Sequence, residues 1–137
     1  MVERYYLMSK DLGDGPHLIG ELSRLRKDEY QFRYMISADQ FPQWFMQIPR
    51  FWDIRRTYET EEVMWLIINR LVPSEGSWAA DALMQQNGIE QYDEWDLLES
   101  LIEQYEQYQL DTQPLCDSHQ LFYFYKQIPA NAHRYDS

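Results

Sequence analysis

Apolar and polar residues switch from a strand period to a helix period near Tyr58. Upstream the pattern runs at two residues. "VERYYLMS" (Val2–Ser9) sets Glu3 and Arg4 among rings and aliphatics and predicts a strand. "GDGP" (Gly13–Pro16) is turn chemistry, with two glycines and a proline that ends pairing. "HLIGELSRL" (His17–Leu25) predicts a second strand with Leu18, Gly20 and Leu22 on one face; Gly20 inside it marks a bulge or a close approach. "YQFRYMI" (Tyr30–Ile36) alternates Tyr30, Phe32, Tyr34 and Ile36 against Gln31, Arg33 and Met35, as a half-buried strand does. Three strands joined by short turns form an antiparallel meander over residues 1–36.

Downstream the period is that of helices. Thr60 is placed to N-cap a first helix, with Glu61 and Glu62 in the turn where the macrodipole favours acids. Its body, "VMWLIINRL", is apolar on nearly every side and predicts a central buried helix. Pro73 ends it. Ser77 starts a second helix with Trp78, Ala82 and Leu83 inward, and Asn87-Gly88 closes it in the left-handed region. Asp93 caps a third, in which Trp95, Leu98, Ile102 and Tyr105 share a seam opposite Glu94, Glu99, Glu103 and Glu106. "HQLFYFYKQI" (His119–Ile128) predicts a fourth strand that rejoins the sheet, and the tail after it is expected to be loose. The expectation is an α+β fold: an antiparallel sheet of three to four strands with about three helices packed beside it. One domain spans 1–137, as meander (1–36), connection (37–58), helical part (59–110) and C-terminal strand and tail (111–137). Val63, Leu66, Ile67 and Leu71 are expected to be buried with Phe32, Leu98 and Ile102.

The connection has neither period. "FPQWFMQIPRFWDIRR" is too ring-rich for disorder. Its rings are the candidate partner anchors: Phe41, Trp44, Phe45, Phe51 and Trp52, flanked by Arg55 and Arg56, with Pro42 and Pro49 lowering the cost of ordering them. The competing reading folds these rings back over the sheet as a lid.

Charge and composition narrow the function. Aromatic residues make up 16% of the chain, more ring surface than a core of this size needs, so some is expected at an interface. Residues 57–137 hold three Lys/Arg against fifteen Asp/Glu, which argues against phosphate-backbone binding there and suits a basic partner. Cys116 is the one cysteine, so no internal disulfide forms, in keeping with a reducing compartment. The start "MVERYYLMSKD" lacks the pattern of a signal peptide, and the longest apolar run, "VMWLII", is far short of a membrane span. A cytoplasmic protein away from membranes is expected.

Little chemistry is visible. His17, His119 and His133 have no metal-ligand spacing. Asp93, Glu94 and Asp96 offer carboxylates for acid–base work, but acids gather at helix N-termini for dipole reasons alone. "SRLRK" (Ser23–Lys27) is a basic cluster expected in a solvated hairpin turn, and no phosphate-binding loop is present. No catalytic residues, metal or cofactor are assigned.

The order of several short motifs resembles the N-terminal small subdomain of HipA-family serine/threonine kinases. Gly20-Glu21-Leu22 and Phe32-Arg33-Tyr34 stand where that family has its Gly-x-Leu and Phe-x-Tyr strands. Asn69-Arg70-Leu71-Val72-Pro73 stands at its Asn-x-Leu-Pro-like turn, with Val72 as an extra residue, and Trp95-Asp96-Leu97-Leu98 at its aromatic-Asp-Leu-Leu helix start. The likeness covers roughly residues 2–110. A chain of 137 residues has no room for the kinase core, and no catalytic-loop or metal-binding Asp motif is present. The resemblance therefore implies a non-enzymatic regulatory module that binds and restrains a separately encoded kinase core, as in bacterial toxin–antitoxin systems. The alternative is an acidic inhibitor protein, a nucleic-acid mimic of the phage-encoded kind, that blocks the basic groove of a nuclease or repressor.

Overall fold

The computed structural model describes residues 3–9, 16–40, 51, 53–64, 68–105, 108–110 and 122–136. The fold is α+β. Six strands, β1 (Glu3–Ser9), β2 (His17–Arg26), β3 (Glu29–Tyr34), β4 (Thr57–Glu59), β5 (Tyr108–Leu110) and β6 (Phe122–Tyr125), form one antiparallel sheet in the order β4-β3-β2-β1-β6-β5. The meander lies at its centre, and the C-terminal strand rejoins it beside β1 as expected, in a shorter span. The count exceeds three to four because of β4 and β5. Each is three residues long, too short to show a period, and each lies at an edge, where short strands limit unwanted pairing.

Helical residues run Thr60–Val63 (α1), Asn69–Leu71 (α2), Trp78–Asn87 (α3) and Glu94–Tyr105 (α4). Thr60 does not cap its helix. Its hydroxyl accepts the Tyr30 N–H at 3.0 Å and so ties the start of α1 to β3. Val72 is extended (φ −107°, ψ 129°), as the residue before Pro73 must be. Ser77 caps α3 by accepting the Ala80 N–H at 3.1 Å, and Gly88 ends it at φ 68°.

The main core lies between the helices and one face of the sheet. Tyr5, Leu7, Ile19, Leu22, Tyr30, Phe32 and Phe124 meet Val63, Leu71, Leu83, Trp95, Leu98 and Ile102 there. The expected burial of Val63, Leu71, Phe32, Leu98 and Ile102 is observed; Leu66 and Ile67 lie outside the described residues. The opposite face carries a smaller cluster of Met8, Leu18 and Met35.

Leu18 was expected beside Leu22, and a bulge separates them. Leu7 pairs with Gly20 and Met8 with Leu18, so Ile19 is the extra residue, and the alternation reverses at that point. Ile19 and Leu22 face the helices while Leu18 faces away. Gly20 is also a close approach: a Cβ there would sit 2.7 Å from Phe32 Cζ and 2.8 Å from the Arg33 carbonyl oxygen.

The tail is not loose. Its backbone bridges His17 through His133 and Ile36 through Tyr135, both in parallel. The Leu18 N–H donates to the His133 carbonyl at 2.9 Å, the His133 N–H to the Pro16 carbonyl at 2.9 Å, and the Ser37 N–H to the Tyr135 carbonyl at 2.6 Å. Ile128 and Ala132 pack on the Met8–Leu18–Met35 cluster, which gives the far face of the sheet an apolar cover.

Candidate protein-binding surface

Among the described residues, chemistry-bearing side chains gather at the end of the aromatic connection, in the polar layer at the start of α4, on the surface around α3, and where the tail meets His17.

Phe51 is the described ring among the candidate anchors, and it is a core residue. It is fully buried, stacks on Tyr58 with centroids 4.4 Å apart and packs on Phe32 at 5.4 Å. Its carbonyl accepts the Tyr34 hydroxyl at 2.7 Å. Phe51 is thus no surface anchor: its apolar ring gains more from the open end of the sheet than from water, as the lid reading required. Phe41, Trp44, Phe45 and Trp52 lie outside the described residues. Arg55 and Arg56 are exposed, and both are engaged. The Arg55 backbone N–H donates to the Asp53 carboxylate at 2.9 Å, which holds the Asp53 pKa below the usual carboxylate range. Arg56 bonds Glu62 at 2.8 Å and lies 4.8 Å from the Tyr58 ring centroid.

The carboxylates at the start of α4 are used structurally. Asp93 accepts the Trp95 N–H at 2.9 Å, which caps the helix as expected, and its other oxygen accepts from Arg24 at 2.6 Å. Burial opposes the Arg24 charge, but this hydrogen bond and the Asp93 charge outweigh it and raise the guanidinium pKa. Glu94 accepts the Tyr30 hydroxyl at 2.8 Å; burial first, and then this bond, push the phenol pKa up. Glu94 was expected on an outer face, but it crosses to β3, because the first turn of α4 lies against the sheet. Arg24 of the "SRLRK" cluster likewise turns inward to Asp93. Of the rest of the α4 pattern, Glu103 is exposed and Glu99 half-buried; Glu106 and the Tyr105 side chain lie outside the described residues.

The third place was misread. Trp78 was expected inward, yet it is 85% exposed, the most exposed of the large hydrophobic side chains described. The helix period explains the error. Residues two apart on a helix point to nearly opposite sides. Ala80 is fully buried and Leu83 almost so, and this rotation sends Trp78 to water. The signal available in the sequence was Ser77: its cap puts Trp78 at the first helical position, ahead of the turn that packs.

Beside α3 lies a cleft of about 520 Å³ lined by Glu75, Gly76, Asp81, Met84, Glu90 and Tyr92. Its shape is set by helix ends. Gly88 turns the chain so that the Ile89 N–H reaches the Met84 carbonyl at 2.9 Å, and the Tyr92 hydroxyl donates to the Pro73 carbonyl at 2.7 Å, tying the two inter-helix turns together. Burial, then Glu94 and Glu75, raise the Tyr92 pKa. Three carboxylates line the cleft and no cationic side chain does.

The histidines were read as separate. The ordered tail stacks His133 on His17 with ring centroids 4.5 Å apart, and the Tyr135 hydroxyl lies 2.8 Å from His17 Nδ1. A contact between residues more than a hundred positions apart left no trace in the sequence. Among the described residues no group of three or more His, Cys, Asp or Glu is arranged to hold a metal ion, and no helix is long and apolar enough to cross a membrane. His119 and Cys116 lie outside the described residues. Comparison with known proteins gave no matching family, curated protein or solved structure.

Proposed function

We propose that the chain is a non-enzymatic, cytoplasmic protein-binding module whose partner presents a basic segment to the surface around Trp78. The exposure of Trp78, which stands between Gly76 and Asp81 of the acidic cleft in the sequence and one helical turn before Asp81 on α3, carries this reading. Tryptophan is the side chain most enriched among binding hot spots, and a largely solvated indole is a standing hydrophobic cost that a partner relieves. Glu75, Asp81 and Glu90 supply the charge that would steer Lys or Arg side chains to it. The resemblance to the HipA small subdomain supplies a partner class: a separately encoded kinase core, restrained by this module in a toxin–antitoxin pair. Of the candidate rings in the connection, Phe51 is buried and offers no anchor, while Phe41, Trp44, Phe45 and Trp52 lie outside the described residues.

The test compares wild-type and Trp78→Ala proteins as baits in parallel at low and high salt. Trp78→Ala should leave the unfolding midpoint unchanged and weaken partner binding at least thirtyfold, about 2 kcal/mol. Salt should slow association. Identical partner binding by both baits would refute the surface. Displacement of the partner by duplex DNA would favour the acidic-inhibitor reading.

A further inference from the structure

A second cleft, of about 230 Å³, lies between β1, α4 and the residue after β6, and is lined by Glu3, Arg4, Tyr5, Trp95, Glu99 and Lys126. None of these residues lines the acidic cleft beside α3. Tyr5 is 2% exposed and Trp95 1%, with ring centroids 5.1 Å apart. Among the described residues the Trp95 indole nitrogen and the Tyr5 hydroxyl are the buried side-chain polar atoms without a well-formed hydrogen bond. The Tyr5 hydroxyl nevertheless faces Glu99: burial, and then the Glu99, Glu103 and Glu3 carboxylates, push the phenol pKa up. An indole N–H can only donate, so Trp95 needs an acceptor. Buried donors without acceptors carry a full desolvation penalty, and in folded proteins such groups call for an explanation.

The remaining lining is dipolar. Glu3 and Glu99 oppose Arg4 and Lys126. Three of these charges have partners elsewhere: Glu3 with Arg24 at 3.9 Å, Arg4 with Glu21 at 3.9 Å, and Lys126 with Glu103. Glu99 makes no ion pair among the described residues. Burial, and then the competing influence of Lys126 and neighbouring carboxylates, leaves its pKa above the ordinary range. The cleft thus offers one donor without an acceptor, the Trp95 indole N–H, and a Glu99 carboxylate that faces the Tyr5 hydroxyl and has no cation at ion-pair distance among the described residues.

We propose that this cleft binds a small zwitterion of the free α-amino-acid class, its carboxylate accepting from Trp95 Nε1–H and its ammonium donating to Glu99. The volume lies below the roughly 300–1,000 Å³ of sites for drug-sized ligands, which limits the occupant to a single small molecule. Side chains that pair Lys126 with Glu103 are about half exposed, so the rim can yield to entry.

The test is titration of the full chain with each of the twenty free amino acids, followed through the indole N–H resonance of Trp95, which Trp95→Phe identifies by its loss. One amino acid or a related subset should shift that resonance saturably. The matching decarboxylated amine and N-acetylated acid should each bind at least tenfold more weakly, and Glu99→Gln should weaken binding by a similar factor. Trp78→Ala should change nothing here, so this site and the protein-binding surface stand or fall separately. Absence of a saturable shift with all twenty overturns the proposal. So does equal binding of the amine or the acetylated acid, or affinity unaltered in Glu99→Gln, a variant that removes no packed ring and keeps the test valid if Trp95→Phe fails to fold.

Discussion

Asp93 joins two elements, and its two oxygens do different work. One accepts the Trp95 N–H and caps α4; the other accepts from Arg24 on β2. Asp93→Asn keeps a side chain that caps about as well as aspartate and removes the charge; Asp93→Ala removes both. Loss of a cap costs about 1 kcal/mol. The Arg24–Asp93 contact is short, at 2.6 Å, and the two side chains are only 12% and 16% exposed. Hydrogen bonds to charged groups contribute about 1.5–3 kcal/mol. Breaking a fully buried pair costs about 3–5 kcal/mol, but here water reaches both groups, so the lower range applies. Asp93→Asn should therefore destabilise by about 1.5–3 kcal/mol, with the amide oxygen still within reach of Arg24 favouring the low end. Asp93→Ala should cost about 2.5–4 kcal/mol, a large share of the roughly 5–15 kcal/mol that holds a domain together. Urea unfolding at pH 7, read by tryptophan fluorescence and far-UV circular dichroism, measures both. The coupling is isolated by a cycle with Arg24→Met, which keeps an apolar stem and removes the charge. The refuting result is a pair of variants that unfold together within about 0.5 kcal/mol of wild type, the range of ordinary surface substitutions, which would make the contact a solvated surface pair.

Two further perturbations follow from packing and burial. Gly20→Ala should destabilise by about 1–3 kcal/mol, since the new methyl meets the backbone oxygen of Arg33 at 2.8 Å, which cannot swing aside as a side chain would; an unfolding midpoint equal to wild type would show the bulge to be soft. Glu99 has a folded-state pKa above its unfolded value, so the folded chain binds this proton more tightly, and stability falls as pH rises from the ordinary carboxylate range through the raised pKa. Glu99→Gln should remove that loss and leave the variant at least as stable as wild type at pH 7, the two curves converging in acid; a variant less stable at pH 7 than at pH 4 relative to wild type would reverse the sign.

Much of the architecture could be read from period alone. Alternation in "YQFRYMI" placed Tyr30, Phe32, Tyr34 and Ile36 on the buried face, because a side-chain period of two leaves a strand no other way to bury its rings. Pro73, Ser77, Asn87-Gly88 and Asp93 fixed the helix ends, since a missing N–H, a capping oxygen and a left-handed turn act locally. The candidate sites depended on what is not local. The face on which Leu18 lies reverses at a bulge that only pairing with β1 defines. Trp78 is exposed because Ala80 and Leu83, and not Trp78 and Ala82, meet the core, a choice of rotation that a weakly amphipathic helix leaves to its neighbours. Phe51 is buried because the sheet end had a ring-sized place for it beside Tyr58. The unpartnered indole N–H of Trp95 arises beside Tyr5 where β1 and α4 meet, and residues ninety positions apart share a cleft only once the chain has folded. Short-range sterics and hydrogen bonding are written in neighbouring residues; the pairing of faces is decided by which surfaces lose most contact with water, and that sum is taken over the whole molecule.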